Sequence, residues 1–185
     1  MVLKALWKFI KGVVEVVLVI IAALAISFLI RTYVVEAYEV PTGSMIPTIE
    51  EYDRILSEKI TYYFEEPEAG DIVTFTSPTD DDTVLVKRVI AVEGDVVDIY
   101  DGNLYINGEL QEEDYTEGKP TYQLSTTYED MTISFPYTVP DGCVWVMGDN
   151  RTNSSDSRYF GAVDIDTITG RVFFRYWPFS RLGVM

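Results

Sequence analysis

Ser44 is the first residue whose surroundings suggest chemistry, because it lies between a turn and an apolar stretch. Residues 40–48 read Val-Pro-Thr-Gly-Ser-Met-Ile-Pro-Thr. A serine hydroxyl is a weak nucleophile at neutral pH and needs a neighbouring base. The usual base is histidine, and this chain has none. A nucleophilic Ser44 would therefore use a lysine, aspartate, glutamate or tyrosine. Taken alone, the segment favours a simpler alternative, a turn serine that bonds its own backbone.

Lys87 is the candidate base. Residues 84–92, Val-Leu-Val-Lys-Arg-Val-Ile-Ala-Val, predict an apolar strand. Side chains alternate along a strand, so Lys87 and Arg88 face opposite sides of the sheet, and one of them can face an apolar region. Burial lowers the pKa of a lysine, and a neutral lysine is a competent base, whereas arginine stays protonated. The strand alone favours a sheet edge, with both charges in water.

A polar loop completes the set of candidate residues. Residues 148–161 read Gly-Asp-Asn-Arg-Thr-Asn-Ser-Ser-Asp-Ser-Arg-Tyr-Phe-Gly and follow a predicted strand. Such a loop can form an internal network in which aspartates and arginines pair, or it can be an ordinary surface loop. The nucleophile motif Gly-x-Ser-x-Gly is absent from the chain, and Ser-x-x-Lys does not occur at Ser44.

The elements that must position these residues are mostly strands. Short segments rich in Val, Ile and Tyr alternate with turns such as 101–103, Asp-Gly-Asn, which predicts a tight hairpin. We predict a mainly β, antiparallel fold, because no repeated helix–strand alternation appears. The acidic residues 77–83 are predicted to form a solvated loop, and residues 109–130 an exposed insertion. The predicted strands are 34–40, 53–57, 71–75, 84–92, 96–100, 104–106, 143–147 and 171–177.

The N-terminal segment predicts a membrane anchor. Residues 13–30 are apolar apart from Glu15 and Ser27, close to the roughly 20 residues that a spanning helix needs. Lysines precede this run and the sequence after it is acidic, so the positive-inside rule places the N-terminus in the cytoplasm. A cleavable signal peptide ending near 23–25, Ala-Leu-Ala, is the alternative. The uncleaved anchor is favoured because the apolar run continues to Ile30.

These elements predict three regions. Residues 1–12 form a cytoplasmic N-terminus, residues 13–31 a transmembrane helix, and residues 32–185 an extracytoplasmic β-rich domain with an acidic insertion at about 107–138. The first 30 residues carry a charge of +2, which leaves −18 on the remainder of a chain whose total is −16. So acidic a domain repels phosphate backbones and argues against nucleic acid as a partner. Cys143, the single cysteine, excludes an intrachain disulfide and a thiolate metal cluster.

Together these segments resemble the bacterial type I signal peptidases, membrane-anchored Ser/Lys endopeptidases that remove signal peptides. The resemblance rests on the apolar anchor, residues 41–45 (Pro-Thr-Gly-Ser-Met), the Lys-Arg pair at 87–88 and the loop 148–161. It covers nearly the whole chain apart from residues 101–140. It implies a β-rich peptidase that needs no cofactor or metal, whose partners are secretory preproteins and the lipid bilayer. We expect a monomer.

The resemblance also implies roles for individual residues. Ser44 would be the nucleophile and Lys87 the general base, while Ser154 would hydrogen-bond and orient the lysine amine. The Ser44 N–H and the Thr42 hydroxyl would form the oxyanion hole. Residues expected to hold the loop in place are Asp149, Arg151, Asp156 and Arg158. Residues expected to line shallow pockets for small substrate residues at −1 and −3 are Val40, Met45, Ile49, Leu85 and Val86.

Two other functions are weighed against this one. The Ser/Lys self-cleaving repressors share such a dyad, but they need a DNA-binding segment and a soluble chain, which fit neither the acidic domain nor the anchor. A membrane-tethered β adaptor that keeps a peptidase-like scaffold without catalysis is the second. The presence of Ser44, Lys87 and Ser154 together argues against a degenerate site.

Overall fold

The computed structural model describes residues 2–124 and 133–185. The chain divides into two compact units, Met1–Glu36 and Ala37–Met185. The first unit contains the helix α1, Val2–Tyr33. Its segment Leu6–Tyr33 is the one helix, among the described residues, that is long and apolar enough to cross a membrane, with a mean hydropathy of 3.0 in its most apolar window. The apolar side chains of this segment are exposed, as expected of a helix that is apolar all round.

The second unit is built mainly from short strands, the first of which begins two residues before the boundary between the units. They are β1 Val35–Glu39, β2 Arg54–Glu58, β3 Ile72–Ser77, β4 Asp80–Ala91, β5 Val96–Tyr100, β6 Asn103–Ile106, β7 Glu109–Leu110, β8 Tyr137–Thr138, β9 Cys143–Met147, β10 Val163–Asp164, β11 Ile168–Trp177 and β12 Gly183–Val184. The one α-helix described in this unit, α2, is a single turn, Ser157–Phe160. The 3₁₀ turns are Gly43–Met45, Thr61–Tyr63, Asp114–Thr116, Ile165–Thr167 and Phe179–Arg181.

The strands form two sheets. The larger has the order β1-β2-β11-β3-β4-β9-β10, with β12 paired to β11, and the smaller has the order β7-β6-β5-β8. The registers are antiparallel, as between β3 and β4, β4 and β9, and β5 and β6. The predicted mainly β, antiparallel fold is therefore confirmed. The predicted edge position of the lysine strand is wrong, because β4 lies between β3 and β9, and Lys87 does not reach water, since it is 3% exposed.

Hairpin turns in the smaller sheet follow from local sequence. Asp101 and Gly102 have φ of 51° and 76°, and Asn107 and Gly108 have φ of 53° and 82°. Two successive residues with positive φ make the type I′ turn, whose twist matches that of paired strands. The tight hairpin predicted at 101–103 is confirmed, since Tyr100 pairs with Asn103 across the turn.

Two acidic segments differ from expectation. Residues 77–83 are not a loop: Ser77 pairs with Asp80 across a two-residue turn, and the acidic residues belong to β4. Strand pairing with β3 overrides the weak strand propensity of aspartate. The described part of 109–130 is only partly exposed, because Thr116 and Thr121 are buried. The rest of that insertion, residues 125–132, lies outside the described residues.

Alternating side chains form the core. One cluster, centred on Trp145, joins β9 to the smaller sheet, and a second fills the larger sheet around Phe75 and Val146. A third contains Val40, Met45 and Ile49 with residues of β2, β3 and β11. This third cluster lies directly under the segment that carries Ser44, so hydrophobic packing fixes the position of that segment.

Candidate active site

Ser44 lies in the short 3₁₀ turn Gly43–Met45, which is buried along its length. Met45 is completely buried, and its carbonyl accepts a hydrogen bond from the Ile49 amide at 2.9 Å. The side chain of Ser44 points away from that core and the residue is 9% exposed. The apolar residues that follow the serine therefore anchor the turn, and the hydroxyl stays available for chemistry.

Lys87 reaches Ser44 from β4. Its Nζ lies 2.8 Å from Ser44 Oγ and donates a second hydrogen bond, 2.9 Å long, to the carbonyl of Val86. The residue is 3% exposed. Burial lowers the pKa of the Lys87 ammonium to about 8, and the negative charges of Asp156 and Asp149 oppose part of that shift. The structure thus brings together the two residues that the sequence marked as nucleophile and base.

A lysine pKa near 8 changes what this amine can do. An ordinary lysine is almost fully protonated at neutral pH and has no lone pair to accept a proton. With a pKa of about 8, roughly a tenth of the Lys87 side chains are neutral at pH 7. Within hydrogen-bond reach of a serine hydroxyl, such an amine can act as a general base.

The predicted hydrogen bond between Ser154 and Lys87 is not present. Ser154 Oγ is buried and has no hydrogen-bond partner among the described residues. The Lys87 amine is instead directed to Ser44 Oγ and the Val86 carbonyl. A neutral Lys87 amine has two N–H groups; when its lone pair accepts a hydrogen bond from the Ser44 hydroxyl and one N–H donates to Val86, the other N–H remains for a further acceptor. The Ser154 hydroxyl lines the same cleft as Lys87.

Gly148 lets the loop 148–161 approach Ser44 closely. A Cβ atom at this position would lie 2.3 Å from Ser154 Oγ and 2.4 Å from the Ser44 carbonyl oxygen. Both separations are far below van der Waals contact, so any side chain would push the loop away from Ser44. The glycine is needed here for close approach, since it is not among the positions with positive φ.

Asn150 holds the turn that carries Ser44, a role that sequence reasoning missed. Its backbone N–H donates to the Ser44 carbonyl at 3.0 Å, and its side-chain Nδ2 donates to the Gly43 carbonyl at 2.9 Å. The Gly43 carbonyl also accepts a bond of 3.3 Å from the Ile46 N–H within the turn, so Asn150 adds a second donor there and supplies one to the Ser44 carbonyl. The sequence offered only the place of Asn150 in a polar loop as a signal.

Buried ion pairs hold the loop behind the lysine. Arg88 donates through Nε and Nη2 to the two carboxylate oxygens of Asp149, at 2.9 and 2.7 Å. Arg158 makes the same forked contact with Asp156, at 2.9 Å for both bonds. Asp156 also accepts from the Gly148 N–H and caps α2. Forked pairs of this kind fix orientation as well as distance, which agrees with a structural role for these charges.

Arg151 finds its side-chain partners outside the loop. Its guanidinium makes a forked pair with Glu113, and its Nη1 also donates to Thr121 Oγ1 at 2.7 Å. Neither Glu113 nor Thr121 was singled out from the sequence. The acidic composition of their segment indicated a solvated surface, and no local pattern pointed to an arginine 38 residues away.

A cleft of about 680 Å³ opens beside Ser44 and Lys87. Thr42 lies at its margin, exposed, and makes no side-chain cap to the 3₁₀ turn. Of the residues predicted to contact substrate, Leu85 lines the cleft, whereas Val40, Met45 and Ile49 are buried in the core and Val86 packs against it. Other lining residues, not predicted as pocket residues, are Leu124, Thr152, Asn153, Ser155 and Tyr159.

The described residues contain no group of three or more His, Cys, Asp or Glu side chains that could hold a metal ion. Cys143 begins β9, lies only partly buried and is a free thiol, with a pKa raised by burial and by Asp164.

Comparison of the sequence with known protein families assigns the chain to one of them. The sequence model described as signal peptidase, peptidase S26, matches residues 13–177, a span that includes Ser44, Lys87 and the whole loop 148–161. The chain belongs to this family. Its members are serine endopeptidases, so the S26 match and the Ser44–Lys87 contact point to the same class of enzyme.

Individual relatives within the S26 family are similar along most of the chain. A probable signal peptidase I-1 of Synechocystis is 38% identical over 184 residues, which are 96% of this chain and 87% of the relative. Signal peptidase IB of Staphylococcus aureus is 36% identical, with 92% of this chain and 93% of the relative covered. Thylakoidal processing peptidase 1 of Arabidopsis thaliana is 38% identical over 87% of this chain, which spans about half, 47%, of that protein.

A solved structure is also similar in part. A crystal structure of a signal peptidase I from Enterococcus faecalis is 35% identical and aligns with a TM-score of 0.47, covering 58% of this chain and 97% of the other.

Proposed function

We propose that this chain is a signal peptidase I that cleaves N-terminal signal peptides from secretory preproteins, with Ser44 as nucleophile and Lys87 as general base. The observation that carries the proposal is the 2.8 Å contact between Lys87 Nζ and Ser44 Oγ. Both residues are buried, and they lie 43 positions apart in the sequence. The S26 family match supports the reaction class.

Acylation begins when neutral Lys87 accepts the Ser44 hydroxyl proton as Oγ attacks the carbonyl carbon of the scissile peptide. The carbonyl oxygen becomes an oxyanion, which the Ser44 N–H and the Thr42 hydroxyl stabilise, each donor contributing about 3 kcal/mol. The exposed and uncapped state of Thr42 leaves its hydroxyl free for this role. The Lys87 ammonium then protonates the leaving amine, and the mature protein departs with the new N-terminus.

Deacylation uses the same lysine a second time. Lys87, neutral again after the amine leaves, accepts a proton from a water molecule that attacks the ester carbonyl. The second tetrahedral intermediate collapses, Ser44 Oγ recovers a proton from the Lys87 ammonium, and the signal peptide leaves with a free carboxylate. A base of pKa about 8 suits both directions of transfer, because its two protonation states are similar in free energy near neutral pH.

The cleft suits substrates with small residues at −1 and −3. Leu85 provides an apolar wall next to the Ser44 hydroxyl. Val40, Met45 and Ile49 are buried in the core and Val86 packs against it, and we propose that they form the floor of shallow substrate pockets. Small side chains such as alanine fit a shallow apolar surface without leaving a void or a clash.

The helix α1 supports a membrane location. We place residues 1–12 in the cytoplasm, residues 13–31 in the bilayer and residues 32–185 outside, because Lys4, Lys8 and Lys11 precede the apolar run. A signal peptide is itself apolar and lies in the bilayer, so anchoring enzyme and substrate in one membrane raises their effective concentration.

The test is to incubate the full chain, in lipid vesicles, with a purified preprotein whose signal peptide ends in Ala-x-Ala, and to measure cleavage. Wild type should cut after that motif, as read by mass spectrometry. Ser44→Ala and Lys87→Met should each lower kcat by at least about 100-fold, the usual contribution of a positioned base. Ser180→Ala, which changes an exposed serine far along the chain, should cleave like wild type.

Other outcomes separate the alternatives. Cleavage that survives Ser44→Ala would show that another residue is the nucleophile. Absence of cleavage by folded wild type on several preproteins, together with no labelling of Ser44 by a serine-reactive inhibitor, would favour the non-catalytic adaptor. Intact mass of the membrane-extracted protein tests the anchor, because a chain that begins at Ile26 would mean that the apolar segment is removed.

A further inference from the structure

Residues 111–124 form a segment that packs behind the catalytic loop, and we call it the buttress segment. It begins after β7, contains the 3₁₀ turn Asp114–Thr116, and ends at Leu124 in the wall of the catalytic cleft. It lies in the part of the chain without recognised catalytic motifs. Each of its contacts described below is with the loop 148–161 or with Arg88.

The contacts of the buttress segment are directed at charged side chains. The ring of Tyr115 lies under the guanidinium of Arg88, with 4.1 Å between the carbon Cζ and the ring centre. The carbonyl of Tyr122 accepts a hydrogen bond of 3.2 Å from Arg158 Nη1. Its other partners in the loop are Arg151, bound by Glu113 and Thr121, and Asn150, whose Oδ1 lies 3.4 Å from Lys119 Nζ.

Glu113 makes the strongest of these contacts. Its two carboxylate oxygens accept from Arg151 Nη1 at 2.6 Å and Nη2 at 2.5 Å. The Arg151 side chain has no exposed surface, and Glu113 exposes 11% of its side chain. Burial disfavours the charged guanidinium, and the hydrogen bond and charge of Glu113 more than offset that effect, so the pKa of Arg151 is raised.

Arg151 also contacts the backbone that lies next to Ser44. Its Nε donates to the Gly148 carbonyl at 3.1 Å. Gly148 is the residue whose Cα faces the Ser44 carbonyl and Ser154 so closely that no side chain fits. The intervening Asn150 donates to Ser44 and to the preceding carbonyl. One guanidinium therefore connects Glu113 to the backbone that encloses Ser44.

We propose that Glu113 is a positioning residue for the peptidase reaction, holding Arg151 and, through it, residues 148–150 at the separation from Ser44 that proton transfer to Lys87 requires. The kinetic part of this proposal rests on the proposed function. Without the carboxylate, Arg151 would be a buried charge without a counterion, which is strongly unfavourable. The guanidinium would turn toward water, release the Gly148 carbonyl and admit solvent to the lysine pocket.

The expected consequence is a defect in kcat with a distinct pH signature. The Leu85 wall of the cleft is not touched, so KM should stay within about twofold of wild type. Hydration of Lys87 removes the burial that lowers its pKa, while Asp149 and Asp156 continue to favour its charged form. The rising limb of the pH–rate profile should therefore move to higher pH. A change that merely lowered the folded fraction would reduce the rate and leave that limb in place.

The experiment compares Glu113→Gln with Glu112→Gln, in the full chain and in lipid vesicles. Glu112 is the exposed neighbour, so the control makes the same chemical change without touching Arg151. Glu113→Gln should lower kcat about 10- to 100-fold and shift the limb upward, and Glu112→Gln should match wild type. The proposal would be overturned if the two variants had equal kcat values and if the rising limbs of their pH–rate profiles lay at the same pH.

A double variant covers the case in which Glu113→Gln does not fold. Glu113→Leu with Arg151→Met replaces the buried pair by apolar side chains, an exchange that is often neutral or stabilising. It should fold but retain the low kcat, because methionine cannot donate to the Gly148 carbonyl. A folded double variant with wild-type kcat would show that the pair does not position the loop.

A second readout separates this proposal from the proposed function. Acylation of Ser44 by a serine-reactive probe, followed by intact mass, needs no preprotein. Slower acylation in Glu113→Gln alone would support positioning even if wild type failed to cut preproteins. Normal cleavage and acylation in both variants would overturn positioning and leave the proposed function intact. A wild type that neither cleaves nor reacts would overturn both.

Discussion

Lys87 in the cleft and Arg88 in the ion pair behind it differ in the groups that accept their hydrogen bonds. In the cleft, Lys87 hydrogen-bonds two neutral acceptors, the Ser44 hydroxyl and the Val86 carbonyl. The next residue along β4, Arg88, turns to the other face of the sheet and forms a forked pair with Asp149. Two adjacent residues of one strand thus have similar formal charge but different electrostatic surroundings.

Because of this difference, the lysine can lose its proton, whereas the arginine is held in a fixed position. Burial without a bonded carboxylate makes the lysine proton easy to lose, which a general base requires. Burial with a forked carboxylate fixes an arginine, which cannot lose its proton in any case. Asp149 and Asp156 bind arginines and do not hydrogen-bond Lys87, although their charges raise its pKa. Burial has the larger effect on the lysine and lowers its pKa.

The largest expected effect comes from breaking one of the ion pairs. Asp156→Asn should lower the free energy of unfolding by about 3–5 kcal/mol, since it leaves Arg158 buried without a counterion. It also weakens the cap of α2 and the bond to the Gly148 N–H. Urea denaturation at neutral pH would measure the loss.

An exposed pair supplies the control. Arg54 and Glu39 contact each other at 2.9 Å, but each side chain is about half exposed, 49% and 51%. Glu39→Gln should therefore cost no more than about 1 kcal/mol. Equal losses in Glu39→Gln and Asp156→Asn would show that burial does not set the strength of these pairs.

The reverse effect is expected in the cleft. Lys87→Met should raise the free energy of unfolding at pH 7 by about 1–3 kcal/mol, although it abolishes cleavage. The unfolded chain binds this proton more tightly than the folded chain, because the folded pKa is about 8 and the ordinary value is 10.5. The lysine is thus destabilising below pH 8, and that penalty disappears as the pH rises toward 10.5.

Denaturant unfolding of wild type and Lys87→Met at several pH values measures this effect. The difference in stability should shrink as the pH rises. A variant that is less stable than wild type at every pH would mean that the hydrogen bonds of the amine outweigh its burial.

The smallest effect concerns the pH dependence of wild-type cleavage. If the neutral Lys87 amine is the base, as we propose, kcat/KM should rise with pH through an apparent pKa of about 8. Well below that value the rate should fall about tenfold per pH unit, which corresponds to about 1.4 kcal/mol. Assays with a peptide that spans the cleavage site give the profile. A flat profile from about pH 6 to 9 would exclude Lys87 as the base.

Much of the fold was predictable because its signals are local. Alternation of Val, Ile and Tyr identified the strands, and the successive positive φ angles at Asp101 and Gly102 need the residue types found there. The positions of Ser44 and Lys87 were predictable as well, since each lies in a recognisable local segment. Their contact depended on which strands become neighbours.

Long-range pairing is what the sequence did not reveal. A carboxylate in an acidic stretch looks solvated, and Glu113 became a structural residue only because Arg151 is folded against it. Apolar residues beside a nucleophile fit a core and a pocket equally well, so Met45 and Ile49 could not be assigned to the core. The edge position expected for β4 was wrong because a strand pattern does not tell how many neighbours the strand has.

The order in which the chain is made also bears on the nucleophile turn. Asn150 bonds the Gly43 carbonyl across 107 residues, and Arg175 donates to the Thr48 carbonyl across 127. During synthesis Ser44 is therefore present long before the residues that hold its turn. A partly made chain therefore carries Ser44 without the residues that hold its turn in the folded protein.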